Sequence, residues 1–139
     1  MASPRPKIRW PCRDLAITDV TGFGLAGHAW NIARNTEAAL EIDFSALKFH
    51  PRFFELTDAG ITTTATAANR RHLAPHVKWL RNLSETEQAL LFDPQTSGGL
   101  LLAVPKAGVD PILTALTATG HRAAEIGEVV AGEPRLRIL

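Results

Sequence analysis

Apolar positions along this 139-residue chain alternate between two periods, and the switches between them outline the elements. Leu15, Ala16 and Ile17 form an unbroken run that reads as the end of a buried strand. Leu25, Ala29, Ile32 and Ala33 then recur at offsets of four, seven and eight, which is one face of a helix. Asp19 and a bend at Gly22 and Gly24 lie between them, so the order is strand, acidic turn, glycine bend, helix. Ala38, Leu40, Ile42 and Phe44 next alternate with Glu41, Asp43 and Ser45, the signature of a half-buried strand with one wet face.

Downstream, Pro51 opens a short helix through Phe53, Phe54 and Leu56, and Gly60 ends it. The stretch 61–71, ITTTATAANRR, sets β-branched threonines beside alanines, so its local propensities conflict. Asn69, Arg70 and Arg71 within it read as a solvated turn, with an anion-facing role as the alternative. Val77, Trp79 and Leu80 suggest a short strand, with Trp79 in the core. Ser84 and Glu87 form a capping box that starts a helix, and Asp93-Pro94 stops it. The apolar run 99–104 reads as a central strand buried on both faces. A helix follows with Ile112, Leu113 and Leu116 on one side. Pro111 falls in its first turn if Asp110 caps it, with a start a few residues earlier as the alternative, and Gly120 closes it. Residues 126–130 and the alternating Leu136 and Ile138 give two last strands, close enough in sequence for a hairpin. The expected fold class is α+β (mixed α/β layers), a mixed β-sheet covered by helices.

Composition narrows the function classes. A net charge of +1 supplies no field for nucleic acid or an anionic membrane, so neither is expected as a partner. The length suits a single domain, 14–139, preceded by a proline-rich, basic linker or arm, 1–13. Cys12 is the only cysteine, which rules out an internal disulfide and makes the reducing cytoplasm the expected location. No apolar run approaches the roughly 20 residues that span a bilayer, and there is no signal-peptide core at the start. His72 and His76 are four apart, but no HExxH motif or cysteine pair supports a zinc site, and an exposed surface is expected.

Two stretches carry candidate chemistry. At 18–24, TDVTGFG places the Asp19 carboxylate and backbone N–H groups at one sheet edge. The first N–H groups of a helix lack partners and attract anions, and a nearby carboxylate can hold magnesium bridging to phosphate. Half of a nucleotide–metal site is one reading; Asp19 as a mere helix cap is the other. At 93–99, DPQTSGG offers the Thr96 and Ser97 hydroxyls and the N–H groups of Gly98 and Gly99 to a phosphate. The same stretch also serves as a tight helix-to-strand connection. Thr18, Thr21, Gly22 and Gly24 complete the candidate nucleotide-contacting set.

TDVTGFG, the following GHA at 27–29, and DPQTSGG together resemble the C-terminal domain of selenophosphate synthetase, or selenide, water dikinase. That family belongs to the superfamily that includes aminoimidazole ribonucleotide synthetase. The likeness covers about residues 14–139, and the two long motifs in this order are specific to selenophosphate synthetase within the superfamily. A central GTRRN-like segment appears here as TATAANRR, without its usual glycines. The resemblance implies a family reaction in which ATP, selenide and water give selenophosphate, AMP and phosphate. It implies ATP and Mg2+ bound between two domains. The N-terminal domain would supply a glycine-rich segment, a reactive cysteine or selenocysteine, a lysine and most metal carboxylates. Asp19 would be the metal ligand contributed by this domain.

The stretch before Leu15 is too short for that N-terminal domain, and Cys12 does not match the family's catalytic cysteine. The expectation is therefore a chain with no catalytic residue of its own, inactive alone, that completes a magnesium–ATP site with an N-terminal synthetase domain in cis or in trans. Apolar surface beside Gly22 and Gly24 would otherwise be bare and would promote a homodimer. A stand-alone metabolite- or protein-binding module and a truncated remnant are the alternatives.

Overall fold

The computed structural model describes residues 15–139; the linker reading and Cys12 lie outside the described residues. Six strands and five α-helices follow in the order β1 (Ala16–Asp19), α1 (Gly24–Thr36), β2 (Ala39–Ile42), α2 (Phe53–Asp58), α3 (Thr64–Leu73), β3 (Val77–Trp79), α4 (Glu85–Phe92), β4 (Leu100–Ala103), α5 (Lys106–Ala118), β5 (Gly127–Val130) and β6 (Arg135–Ile138). The α+β class holds, but the strands divide into two ladders. One is a four-stranded mixed sheet in the order β3-β6-β2-β5, and the other is the antiparallel pair β1-β4.

The core lies where α1 meets the four-stranded sheet and the helices α3 and α4. Ala29, Ile32 and Ala33 of α1 face Leu40 and Ile42 of β2 and Leu136 and Ile138 of β6, with Leu91 and Phe92 of α4 filling the other side; all are buried. Trp79 packs edge-on to Phe92 with ring centroids 6.2 Å apart, which gives it the core role expected. The capping box at Ser84 and Glu87 is formed as read, and Asp93 leaves the helix in extended conformation. Glycines follow α2 and α5 at Gly60 and Gly120, both at φ +80°.

Four expectations are corrected. The 99–104 run is not a central strand: β4 pairs only with β1 among the described strands, and Leu100 is 63% exposed. β1 is likewise half-exposed, with Ile17 turned outward, rather than buried. β5 and β6 do not form a hairpin. β2 lies between them, antiparallel to β5 and parallel to β6. This position gives the two inward aliphatic residues of β2 neighbours on both sides, and Gly127 permits the close approach, since a Cβ there would sit 1.9 Å from the Glu41 carbonyl oxygen. Helix α5 starts at Lys106, the earlier of the two starts left open by the sequence, which places Pro111 inside it. Finally, 64–73 is a helix, α3, whose N-cap Thr63 accepts a hydrogen bond from the Thr66 N–H. Asn69 is thus a buried helical residue and not part of a solvated turn, while Arg70 donates to Gln88 at 2.7 Å. His76 of the His72–His76 pair stacks on Trp30 at 3.9 Å.

Candidate functional site

The strand β1 ends at Asp19, and alternation along it turns Thr18 inward and Asp19 outward. The Asp19 carboxylate is exposed and makes no hydrogen bond or ion pair among the described residues. It does not cap α1, whose N-cap is Phe23 with no side-chain cap bond. The capping alternative for this aspartate is thereby removed. Directly across the ladder stands Leu100, which brings the end of DPQTSGG beside TDVTGFG.

Backbone bonds lock the two stretches together. Val20 N–H donates to the Gly99 carbonyl at 2.9 Å, and Gln95 N–H donates to the Thr21 carbonyl at 3.0 Å. The chains cross so closely at Gly98 that a Cβ there would lie 2.0 Å from the Val20 carbonyl oxygen. Gly24 is also constrained: its φ is +68°, and a Cβ would meet the Phe92 carbonyl carbon at 2.8 Å. Gly22 and Gly99, by contrast, have open space where a Cβ would point. Around this crossing the N–H groups of Gly22, Phe23, Thr96, Ser97 and Gly98 donate to no protein acceptor among the described residues. The Thr96 and Ser97 side chains are exposed beside them. One exposed carboxylate and a cluster of free donors therefore share a single edge, a donor set suited to one corner of a cation–phosphate site.

Thr18 and Thr21 are placed differently. Both turn to His28, a buried residue of α1. Thr21 N–H can only donate, so His28 Nε2 accepts it at 3.0 Å and the ring hydrogen is assigned to Nδ1, which faces the Thr18 hydroxyl at 3.1 Å. The Thr21 hydroxyl also reaches Nε2, at 3.0 Å. The two threonines thus brace the strand end on either side of Asp19, with their hydroxyls committed to the imidazole.

Sequence reasoning missed two residues of this framework. His28 was visible as a polar residue at an inward helical offset between Leu25 and Ile32, within GHA. Asn69 reads from sequence as part of a solvated turn, with an anion-facing role as the alternative, and nothing in the sequence places it inward on a helix. Its amide donates to the Gly22 carbonyl at 2.9 Å and to the Phe92 carbonyl at 3.0 Å, tying the glycine bend to the end of α4. Asn69→Ala leaves both carbonyls without that donor and is expected to cost about 1–3 kcal/mol. A chemical denaturation midpoint measured on wild type and variant checks it; an unchanged midpoint contradicts the clamp.

Asp93, which opens the second stretch, has its carboxyl pushed above the usual range by burial, partly offset by the Thr66 hydroxyl. A raised folded-state value favours the protonated form in the native protein. The stability this contributes is full below the unfolded value and is lost as pH rises through the folded one. Asp93→Asn is therefore expected to melt higher than wild type at neutral pH, with the gap closing in acid. A gap that widens in acid would reverse the sign.

With this geometry in hand, comparison with known proteins is informative. The chain belongs to the family of AIR synthase related proteins, C-terminal domain, which it matches over residues 15–138. Among individual proteins it is similar to selenide, water dikinase of Pseudomonas straminea, at 39% identity over 122 residues, covering 87% of this chain and 34% of that protein. It is also similar to selenide, water dikinase of Nitratidesulfovibrio vulgaris (strain DSM 19637 / Miyazaki F), at 40% over 119 residues, covering 86% and 34%. The chain spans about a third of the length of these curated relatives. The crystal structure of tt0281 from Thermus thermophilus shares the fold, with a TM-score of 0.56 at 22% identity over 88% of this chain and 31% of that one. Among the described residues no helix is long and apolar enough to cross a membrane, and no group of three or more His, Cys, Asp or Glu side chains is placed to hold a metal.

Proposed function

We propose that this chain forms the C-terminal wall of a selenide, water dikinase, in which ATP, selenide and water give selenophosphate, AMP and phosphate. The observation that carries the reading is the Asp19 carboxylate, exposed and without a hydrogen-bond or ion-pair partner among the described residues, at the edge where the two signature loops cross. Beside it the outer face of the β1-β4 ladder presents Ile17 and Leu100, 47% and 63% exposed. An acid among bare aliphatic residues suits a face that another domain covers.

In the assembled site Asp19 would give one oxygen to Mg2+, which takes only one or two protein carboxylates and keeps its other positions for water and phosphate. Bound magnesium supplies charge neutralisation of the phosphoryl oxygens. The chain's own part is to brace, through Thr18, Thr21 and His28, the strand end that carries that carboxylate, and to point the free N–H groups of residues 96–98 and the Thr96 and Ser97 hydroxyls at phosphate oxygens. Gly22 and Gly99 leave room for the ligand to approach. Ile17 and Leu100 would exclude water when the N-terminal domain closes over them. Phosphoryl transfer depends on several such contacts held at once, so one carboxylate and a loop are insufficient alone.

The experiment mixes the purified chain with the N-terminal domain of a selenide, water dikinase relative and follows AMP. Selenide-dependent AMP is expected from the mixture and none from the chain by itself. Activity in the chain alone, or none in a mixture that demonstrably forms a complex, contradicts the reading. A second expected outcome concerns association. With the ladder face bare, the chain self-associates at high concentration, and Leu100→Lys weakens this in sedimentation equilibrium. A strictly monomeric wild type removes the argument from exposure.

A further inference from the structure

We propose that the cleft between α2, α3 and α4 is a binding site for a small organic cation, a primary ammonium on a compact apolar body, with Asp93 as its counter-ion. The cleft has a volume of about 190 Å³. A cavity near 150 Å³ accommodates benzene, so this one holds a ring-sized body with one further group. Its walls include Phe53, Leu56 and Ile61, and its polar end is made by Thr63, Thr66 and Asp93.

The carboxylate at that end is under-compensated. Its contacts are the Thr66 hydroxyl at 3.4 Å and the Gln95 amide at 3.2 Å, both neutral and both long for a carboxylate. An ionised carboxylate has about four acceptor positions, and no lysine, arginine or histidine pairs with this one among the described residues. Burial already pushes its carboxyl upward, as expected where charge lacks a partner. An ammonium entering the cleft supplies the missing charge and two or three donors. An anion is repelled by Asp93. A hard metal ion would find one carboxylate, threonine hydroxyls and an aliphatic wall, a poor donor set. The apolar walls favour a cation that carries hydrocarbon, and Ile61, 62% exposed, gains cover from it.

The site is also pre-formed. Asn69 of α3 donates to the Phe92 carbonyl at 3.0 Å and so fixes the backbone of this corner, while the carboxylate keeps only its long contacts. The cleft shares no lining residue with the phosphate-facing edge at 18–24 and 96–99.

The test titrates the chain at neutral pH with benzylammonium chloride, following backbone amide shifts, with benzyl alcohol as the uncharged control of similar size. Saturable shifts confined to residues around Thr63, Thr66 and Asp93 are expected, with benzyl alcohol weaker by about tenfold, the scale of one charge-assisted contact. Asp93→Asn should lose the preference for the amine while melting no lower than wild type, which separates lost binding from lost folding. Ile61→Lys, at an exposed position, should weaken the amine by placing a cation at the cleft mouth. Equal binding of alcohol and amine, an amine affinity unaltered in Asp93→Asn, or the absence of saturable shifts in the cleft would each overturn the proposal.

Discussion

Asp19→Asn in the reassembled two-part enzyme is expected to lower selenide-dependent AMP formation by roughly 10²–10³-fold, the usual scale for removing one charge-stabilising group from a transition state. The same change is expected to alter the stability of the chain by less than about 0.5 kcal/mol, because an exposed side chain with no partner among the described residues leaves nothing unsatisfied when it changes. That separation is the diagnostic. A carboxylate that capped a helix or bridged two loops would show its loss first in the melting curve. Here the N-cap of α1 is Phe23, with no side-chain cap at all, and Thr18, Thr21 and His28 hold the strand end independently of the carboxylate. Raising magnesium should recover part of the lost rate, since a weakened ligand lowers affinity for the ion before it alters anything else. Wild-type turnover in the variant would remove Asp19 from the chemistry.

Gly98→Ala should be the most damaging of the glycine substitutions in the two motifs. The added methyl would lie 2.0 Å from the Val20 carbonyl oxygen, and that obstacle is backbone, which cannot rotate aside. Either strand must shift, straining the bond from Val20 N–H to Gly99 and the crossing it secures. A cost of about 1–3 kcal/mol or more is expected from such overpacking. Gly99→Ala supplies the control, with open space at the new methyl and no expected loss of fold. Each motif thus holds one glycine required by the fold, Gly24 or Gly98, and one that the fold leaves free, Gly22 or Gly99. If the free ones matter, it is because a ligand needs the space. Thermal melts of the two alanine variants side by side decide the structural half, and equal melting temperatures would contradict the crossing geometry.

Much of this molecule was readable where chemistry is local. The Ser84–Glu87 cap, the glycine stops after α2 and α5, the alternating burial from Leu40 to Phe44 and the acidic strand end at Asp19 all depend on near neighbours in sequence, and the structure keeps them. What escaped depends on distant partners. Helix α3 was hidden because its buried side is made of Thr66, Asn69 and Leu73, spaced as a helix face but mostly polar, so no apolar stripe marked it. Its polar residues face inward because they serve the carbonyls of Gly22 and Phe92 and the carboxyl of Asp93, none of which is near in sequence. The apparent hairpin of β5 and β6 failed for a related reason: proximity favoured pairing them, while β2 is better buried between them. The apolar run of β4 misled because its exposed outer side is hydrophobic, which sequence alone reads as core. For the candidate site, the motifs located Asp19, Thr96 and Ser97 at an open edge, whereas the commitment of Thr18 and Thr21 to His28 required coordinates.

The most direct test of the central claim is paramagnetic broadening by manganese(II)–ATP. The isotope-labelled chain would be bound to the N-terminal domain of a selenide, water dikinase relative and its amide signals followed as the nucleotide is added. Signals from residues 18–22 and 96–99 should broaden first, and those of the far sheet around Glu128 should stay sharp. Broadening spread evenly over the chain, or confined to surfaces away from Asp19 while the partner domain demonstrably holds the nucleotide, would contradict the account.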